Sequence, residues 1–233
     1  MTQNTTTNIS YAQNKEDIIL EQIHQAVCDE QTGYFFEIGA GVRGQHIECN
    51  TYLLKLRGWD GVIIDTIGDH PLIKNAFVTT DNILDLMSEC PKHINIFSID
   101  IDSYDWYIVK KVLDSNMYDI DIICTEINSY HDYKYADLIQ HRDYVREGKS
   151  NCFGATLYAY KNLLNKYGYS LIYVEDRGVN AFWVKNDKAH LFDNADDFEH
   201  HYKKTNIKNS WSRPDPNPRY LTSEELLKED NNE

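Results

Sequence analysis

Long apolar runs are missing from the 233-residue sequence. No window approaches the roughly 18 apolar residues of a membrane-spanning helix, so none is expected. The opening MTQNTTTNIS has neither the basic segment nor the apolar stretch of a secretory signal. A cytoplasmic setting follows as the expectation, in which the sequons at Asn4 and Asn8 carry no meaning. Positive charge is scarce as well: 23 Lys and Arg against 37 Asp and Glu leave a net charge of −14. Most of such a surface repels polyanions, which argues against a general nucleic-acid or anionic-membrane binder. Cysteines number five, at 28, 49, 90, 124 and 152. An odd, scattered set without a C-x-x-C pair suggests neither a disulfide ladder nor a thiolate zinc site, and Cys124, in an apolar run, reads as a small core residue. Of five prolines, three crowd positions 214, 216 and 218.

What is present is the composition of a folded globular protein, 42% hydrophobic and 26% charged. The length favours one large domain, expected over residues 1–190, with a leading cap segment at 1–30. Residues 15–28 carry Ile18, Ile19, Ile23, Ala26 and Val27 near helical spacing, and the short apolar run Tyr34–Ile38 reads as a strand. A cadence follows: helix around 49–57, strands at 62–65 and 76–80, helix 82–89, strand 94–99, helix 105–114, strand 120–126. Strands alternating with helices of about a dozen residues build a parallel sheet covered on both faces. The polar and aromatic stretch 127–153, with Tyr130, His131, Tyr133, Tyr135, His141, Arg142 and Tyr144, breaks the rhythm and reads as a substrate-side insertion. A helix at 155–167 and strands at 170–175 and 181–185, joined through Gly178, predict a closing antiparallel hairpin. Residues 191–233 are expected to form a C-terminal helix and a tail, in which 203–219 holds five basic groups against Asp215 and reads as an arm or linker.

Open parallel sheets bind ligands beyond the carboxyl ends of their strands, where the strand order reverses. Almost every predicted strand end carries an acid or an amide: Glu37-Ile38-Gly39-Ala40-Gly41, Asp65, Asp81-Asn82, Asp100-Ile101-Asp102 and Glu126-Ile127-Asn128. Residues 39–44 also satisfy G-x-G-x-x-G, which with Asp65 raises a dinucleotide reading. Two features oppose it: Glu37 stands where that motif keeps an apolar residue, and the next helix is expected near Glu48, too late to hold a pyrophosphate. Carboxylates attract a cationic nucleoside and repel a diphosphate, so S-adenosylmethionine suits this wall better.

Several blocks in order carry a resemblance: YAQNKED (11–17), FFEIGAGVRGQHIECNTYLLKLRGWDGVIID (35–65), FSIDIDSYDWYIVK (97–110), FGATLYAYKNLLNKYGYSL (153–171) and GVNAFWV (178–184). Over about residues 9–186 the chain resembles the FkbM-like branch of class I S-adenosylmethionine-dependent methyltransferases. The resemblance implies an α/β Rossmann-like fold, with a seven-stranded, mostly parallel sheet ordered 3-2-1-4-5-7-6, its last strand antiparallel and helices on both faces. It further implies methyl transfer to oxygen on sugars, glycan precursors or other small hydroxylated molecules. Glu37, Gly39, Ala40 and Gly41 would wrap the methionine part, Asp65 the ribose, Asp81 and Asn82 the adenine edge, and Asp100 the pocket floor. Gln13 and Asp17 would close the site, and Asn50 joins the expected cofactor contacts. Arg43 and His46 lengthen the glycine loop, and Ser103-Tyr104 stand where related sequences have Gly-Asn.

Transfer to a hydroxyl needs help removing its proton, from a general base or a divalent cation. His131 and Asp102 are the expected catalytic groups, and Asp100, Asp102, Glu126 and Asn128 offer the hard oxygen ligands that Mg²⁺ accepts. Blander roles compete with these. Glu37 could cap backbone amides, Asp105 could cap the following helix, His46 and His131 could be ordinary loop histidines, the tyrosines of 130–144 could cover a sheet edge, and His200-His201 could lie on the surface. Two other functions also stay open. One is a metal-dependent glycosyltransferase using Asp100-Ile101-Asp102 as a D-x-D pair, and the other a catalytically silent cofactor-binding module whose basic arm docks a partner.

Overall fold

The computed structural model describes residues 9–43, 46–66, 70–131, 133–146, 148–204 and 213–229, without the side chains of 42–46. Asn4, Asn8, the side chains of Arg43 and His46, and positions 205–212 of the basic segment lie outside that description. The elements run α1 (Glu16–Val27), β1 (Tyr34–Ile38), β2 (Gly41–Arg43), β3 (His46–Glu48), α2 (Tyr52–Leu56), β4 (Asp60–Asp65), β5 (Ile73–Asn75), α3 (Ile83–Leu86) and β6 (His93–Ile99). There follow α4 (Asp105–Asp114), β7 (Asp119–Glu126), β8 (Ile139–Gln140), α5 (Leu157–Lys166), β9 (Tyr169–Val174), β10 (Asn180–Lys185), α6 (Phe198–His201), β11 (Tyr220–Leu221) and α7 (Ser223–Glu229).

Seven strands form one sheet in the order β5-β4-β1-β6-β7-β10-β9. Neighbouring strands are parallel from β5 to β7, whereas β10 runs antiparallel to both β7 and β9. Numbered within the sheet this is 3-2-1-4-5-7-6, an α/β architecture with helices on both faces, as the resemblance implied. Alternation along each strand feeds two cores. Phe35, Ile96, Ile122, Cys124, Phe182 and Val184 face Leu20, Ile23 and Leu54, from α1 and α2. Phe36, Ile38, Phe97, Ile99, Ile123, Ala181 and Trp183 face Trp106, Val109 and Leu163, from α4 and α5. Phe36 and Phe97, paired in register, stack with ring centroids 6.0 Å apart. Cys124 is a core residue, fully buried.

Four expectations are corrected. The third strand lies at Ile73–Asn75, not 76–80. Apolar Ala76, Phe77 and Val78 imitate a strand, but Asn82 bends the segment away: its Nδ2 donates to the Phe77 carbonyl at 2.8 Å, and its Oδ1 accepts from Thr79 N at 2.8 Å. The helix expected over 82–89 is reduced to α3. The helix expected from 49, or near Glu48, begins at Tyr52, because the chain after Gly41 first makes the antiparallel hairpin β2–β3. Over its described residues the tail is no free linker. Residues 213–229 return to the insertion, where β11 pairs with β8 and Ser223 binds Asp137 through its backbone N–H at 3.0 Å and its hydroxyl at 2.7 Å.

Candidate active site

The order of the strands reverses between β1 and β6, and the carboxyl ends of β1, β4 and β6 open onto a cavity of about 520 Å³. That volume is within the range of small-ligand sites. Glu37, Gly39, Gly41, Asn50, Asp65, Asp100 and Asp102 line it, with Gln13 from the leading segment. A second cavity of about 490 Å³ adjoins it and shares Gln13, Glu48, Asp100 and Asp102. Its remaining wall includes Glu126, Tyr130, Arg146, Phe153 and Arg177.

Glu37 ends β1 and is only 1% exposed. Its carboxylate accepts from Asn50 N at 2.7 Å, from the Thr51 hydroxyl at 2.5 Å and from the Cys49 thiol at 3.1 Å. The bland role is thus realised, since Glu37 caps the turn into α2, and it lines the cavity as well. Burial pushes its pKa up against those hydrogen bonds, and pushes up the Cys49 thiol too. Asn50 also donates to Ser98 Oγ at 3.2 Å, so this cavity wall is built from interlocked side chains.

Gly39 is required for two reasons. Its φ is +94°, and a Cβ there would lie 1.6 Å from the carbonyl oxygen of Asp100. The exits of β1 and β6 therefore touch backbone to backbone. Beyond Asp100 the chain turns through Asp102, at φ +58°. Asp105 secures that turn, accepting from Ile101 N at 2.8 Å and Ser103 N at 2.9 Å. It binds the preceding loop although it is the first residue of α4, whose N-cap is Tyr104. Burial raises the Asp105 pKa to about 6 against these bonds.

Asp100, directly after β6, and Glu126, the last residue of the adjacent β7, are within hydrogen-bonding reach of one another. Burial, then the neighbouring carboxylates, hold both well above the usual carboxylate range. Asp102 meets the Arg146 guanidinium at 2.6 Å, and that group lies 4.3 Å over the Phe153 ring.

Several expected site residues stand elsewhere. Ala40 is fully buried in the core beneath the loop. Asp17 lines neither cavity; it accepts from Ser10 Oγ at 2.6 Å and Tyr11 N at 2.7 Å, folding the leading segment onto α1. Asp81 and Asn82 line neither cavity; from that segment Ala76, Phe77 and Val78 line the first, with Phe77 67% exposed. Asn128 spends its amide on the carbonyls of Asn151 and Phe153, at 2.9 and 2.8 Å. His131 also lines neither cavity, its ring meeting the Tyr220 hydroxyl at 3.1 Å.

These placements do not suit a divalent cation among Asp100, Asp102, Glu126 and Asn128. Asn128 is turned away, and Asp102 already faces a guanidinium. Among the described residues, the three-ligand grouping with donor atoms within 4.8 Å is His93, Asp119 and Asp121. It lies at the opposite ends of β6 and β7, where Lys185 pairs with Asp119 at 2.5 Å and Asp121 at 3.1 Å. Residues that the sequence did not single out include Phe77, Arg146, Arg177 and Asn180. Only Asn180 had a usable signal, an amide directly before the apolar run 181–184.

No family model matches the chain, and no curated protein matches it. Among solved structures, it is similar to the human methyltransferase 10 domain containing protein, with a TM-score of 0.42 at 10% identity, covering 73% of this chain and 80% of that one. It is also similar to a candidate hemolysin from Lactococcus lactis, with a TM-score of 0.40 at 12% identity, covering 72% and 84%.

Proposed function

We propose that the chain is an S-adenosylmethionine-dependent methyltransferase acting on a small, hydroxyl-bearing acceptor of the sugar or glycan-precursor class, within a catalytic domain of residues 1–190. The observation that carries this reading is the pair of adjoining cavities at the strand-order reversal, the first walled by Glu37, Asp65 and Asp100. S-adenosylmethionine, when bound, supplies a methyl group activated by a sulfonium.

The residues fit such a guest. Carboxyl groups around the first cavity favour a cation over a diphosphate. Asp65, at the end of β4, offers acceptors to ribose hydroxyls, and Phe77 offers a ring face beside it. Gly39 leaves no side chain between the ligand space and Asp100. On the acceptor side, Tyr130 and Phe153 present rings suited to a sugar. Asp102, on the wall common to both cavities, is the group we assign to receive the acceptor's proton, while most of the rate comes from holding the partners aligned. His131 lines neither cavity and is not assigned that role, whereas Asp102 lines both, held in place by Arg146; no step passes through a metal.

The test is thermal unfolding of the purified chain with S-adenosylhomocysteine. At about a hundredfold excess over Kd the stabilisation is about 2.7 kcal/mol, about 5–10 °C for a chain of this size. Asp65→Ala should lose most of that rise while still folding. A folded protein that shifts with neither S-adenosylhomocysteine nor S-adenosylmethionine refutes the proposal.

A further inference from the structure

Glu126 and Asn180 are direct cross-strand partners in the antiparallel pairing of β7 with β10. Paired residues in such a ladder project to the same face, with Cβ atoms about 5 Å apart. Each carries one oxygen that is sealed from solvent and has no partner of its own, Glu126 Oε2 and Asn180 Oδ1. The orientation of the Asn180 amide is set by chemistry, since its Nδ2 donates to the Glu16 carboxylate at 2.9 Å and so turns the oxygen the other way. Asn180 is 1% exposed and lines the first cavity together with Asp100, which in turn reaches Glu126. The hydrogen-bonded Asp100–Glu126 pair, which holds a proton between two carboxyl groups, and the Asn180 amide thus border the adjoining cavities, Asp100 both of them, Asn180 the first and Glu126 the second.

A buried acceptor without a partner is costly, and two on directly paired residues point to a donor-rich guest. The surrounding charge points the same way. Asp100 feels Asp102, Asp105 and Glu16, and Glu126 feels Asp100, Asp102 and Asp105; the cation acting on Glu126 is Arg146, itself bound to Asp102. A hydroxyl brings one donor and no charge, whereas a primary ammonium brings three donors and the missing positive charge. Glu126 borders only the second of the two cavities, on the β7–β10 side of the sheet.

Resting on the methyltransferase reading, we infer that Asp100, Glu126 and Asn180 anchor an amino group of the acceptor, which places the acceptor among amine-bearing polar molecules of the amino-sugar or amino-alcohol class.

The test compares glucosamine with glucose, and ethanolamine with ethylene glycol, by thermal shift of the full chain saturated with S-adenosylhomocysteine. At least one amine should stabilise beyond its neutral partner. Glu126→Gln supplies a donor of its own, so it should raise the melting temperature of the unliganded protein and weaken amine binding about tenfold or more. Should that variant not fold, Asp100→Asn is the second probe, with the same loss of amine binding expected. If neither amine outperforms its partner while S-adenosylhomocysteine still stabilises, the anchor is refuted and the methyltransferase reading survives. If S-adenosylhomocysteine itself gives no shift, that reading falls first. If Glu126→Gln weakens S-adenosylhomocysteine but spares 5′-methylthioadenosine, which lacks the amino-acid portion, the orphan acceptors serve the donor's own ammonium and the assignment to the acceptor is overturned.

Discussion

At the scale of single residues, Asp105 shows how burial and hydrogen bonding compete over one carboxyl. Two loop N–H groups favour its ionised form, yet burial wins and its pKa lies near 6 instead of 3.8. A folded-state pKa above the unfolded value means stability that is fully present below about pH 3.8 and is lost as pH rises through about 6. The difference corresponds to about 3 kcal/mol. Asp105→Asn cannot titrate, so urea unfolding of the two proteins from pH 4 to 7 should show the wild type losing about that much relative to the variant. Parallel pH dependences would refute the assignment. Asp105 also illustrates what a sequence conceals: its position before Trp106-Tyr107-Ile108 looks like a helix cap, and only the turn through Asp102 reveals the backbone amides that it serves.

At the scale of elements, the strands were legible because buried β-branched and aromatic runs such as YFFEI, NIFSI and IDIICTE have little other use. Elements that failed to announce themselves are two or three residues long, too short to carry a periodicity. β5 is three residues long and is displaced from the more apolar 76–80 by the side chain of Asn82. The β2–β3 hairpin replaces an expected helical start, and the pairing of β8 with β11 joins residues about eighty positions apart. The strand-end acids were legible as a group, but the sequence did not show which point inward. Asp65 and Asp100 face the cavity, whereas Asp17 and Asn82 serve nearby backbone. The contact between the β1 and β6 exits yields a prediction here. Gly39→Ala, clashing with the Asp100 carbonyl at a positive φ, should cost more than about 2 kcal/mol and suppress stabilisation by S-adenosylhomocysteine. Near-normal chemical denaturation of that variant would show that the two exits can separate freely.

At the scale of the whole molecule, the insertion and the C-terminal stretch behave as one unit. Tyr220 donates to the Asn151 carbonyl at 2.9 Å, Arg219 O accepts from His141 N at 2.9 Å, and Leu226 is 3% exposed. The insertion in turn supplies Tyr130, Arg146 and Phe153 to the second cavity. Removing residues 213–229 should therefore leave amide exchange in β1, β4 and β6 slow while residues 127–153 exchange faster by about tenfold or more, because their brace is gone. Unchanged protection of 127–153 would show that the insertion holds itself. His131, expected as a catalytic base, belongs to this brace through Tyr220.

That brace has a consequence for how the protein is born. Chains leave the ribosome N-terminus first, so the segment 127–153 emerges well before the residues that pin it, and during that interval the sheet can assemble while one wall of the second cavity stays open. A nascent chain halted between β10 and β11 would then hold the first cavity, built from the ends of β1, β4 and β6, before the wall that Tyr130, Arg146 and Phe153 give the second is fixed in place.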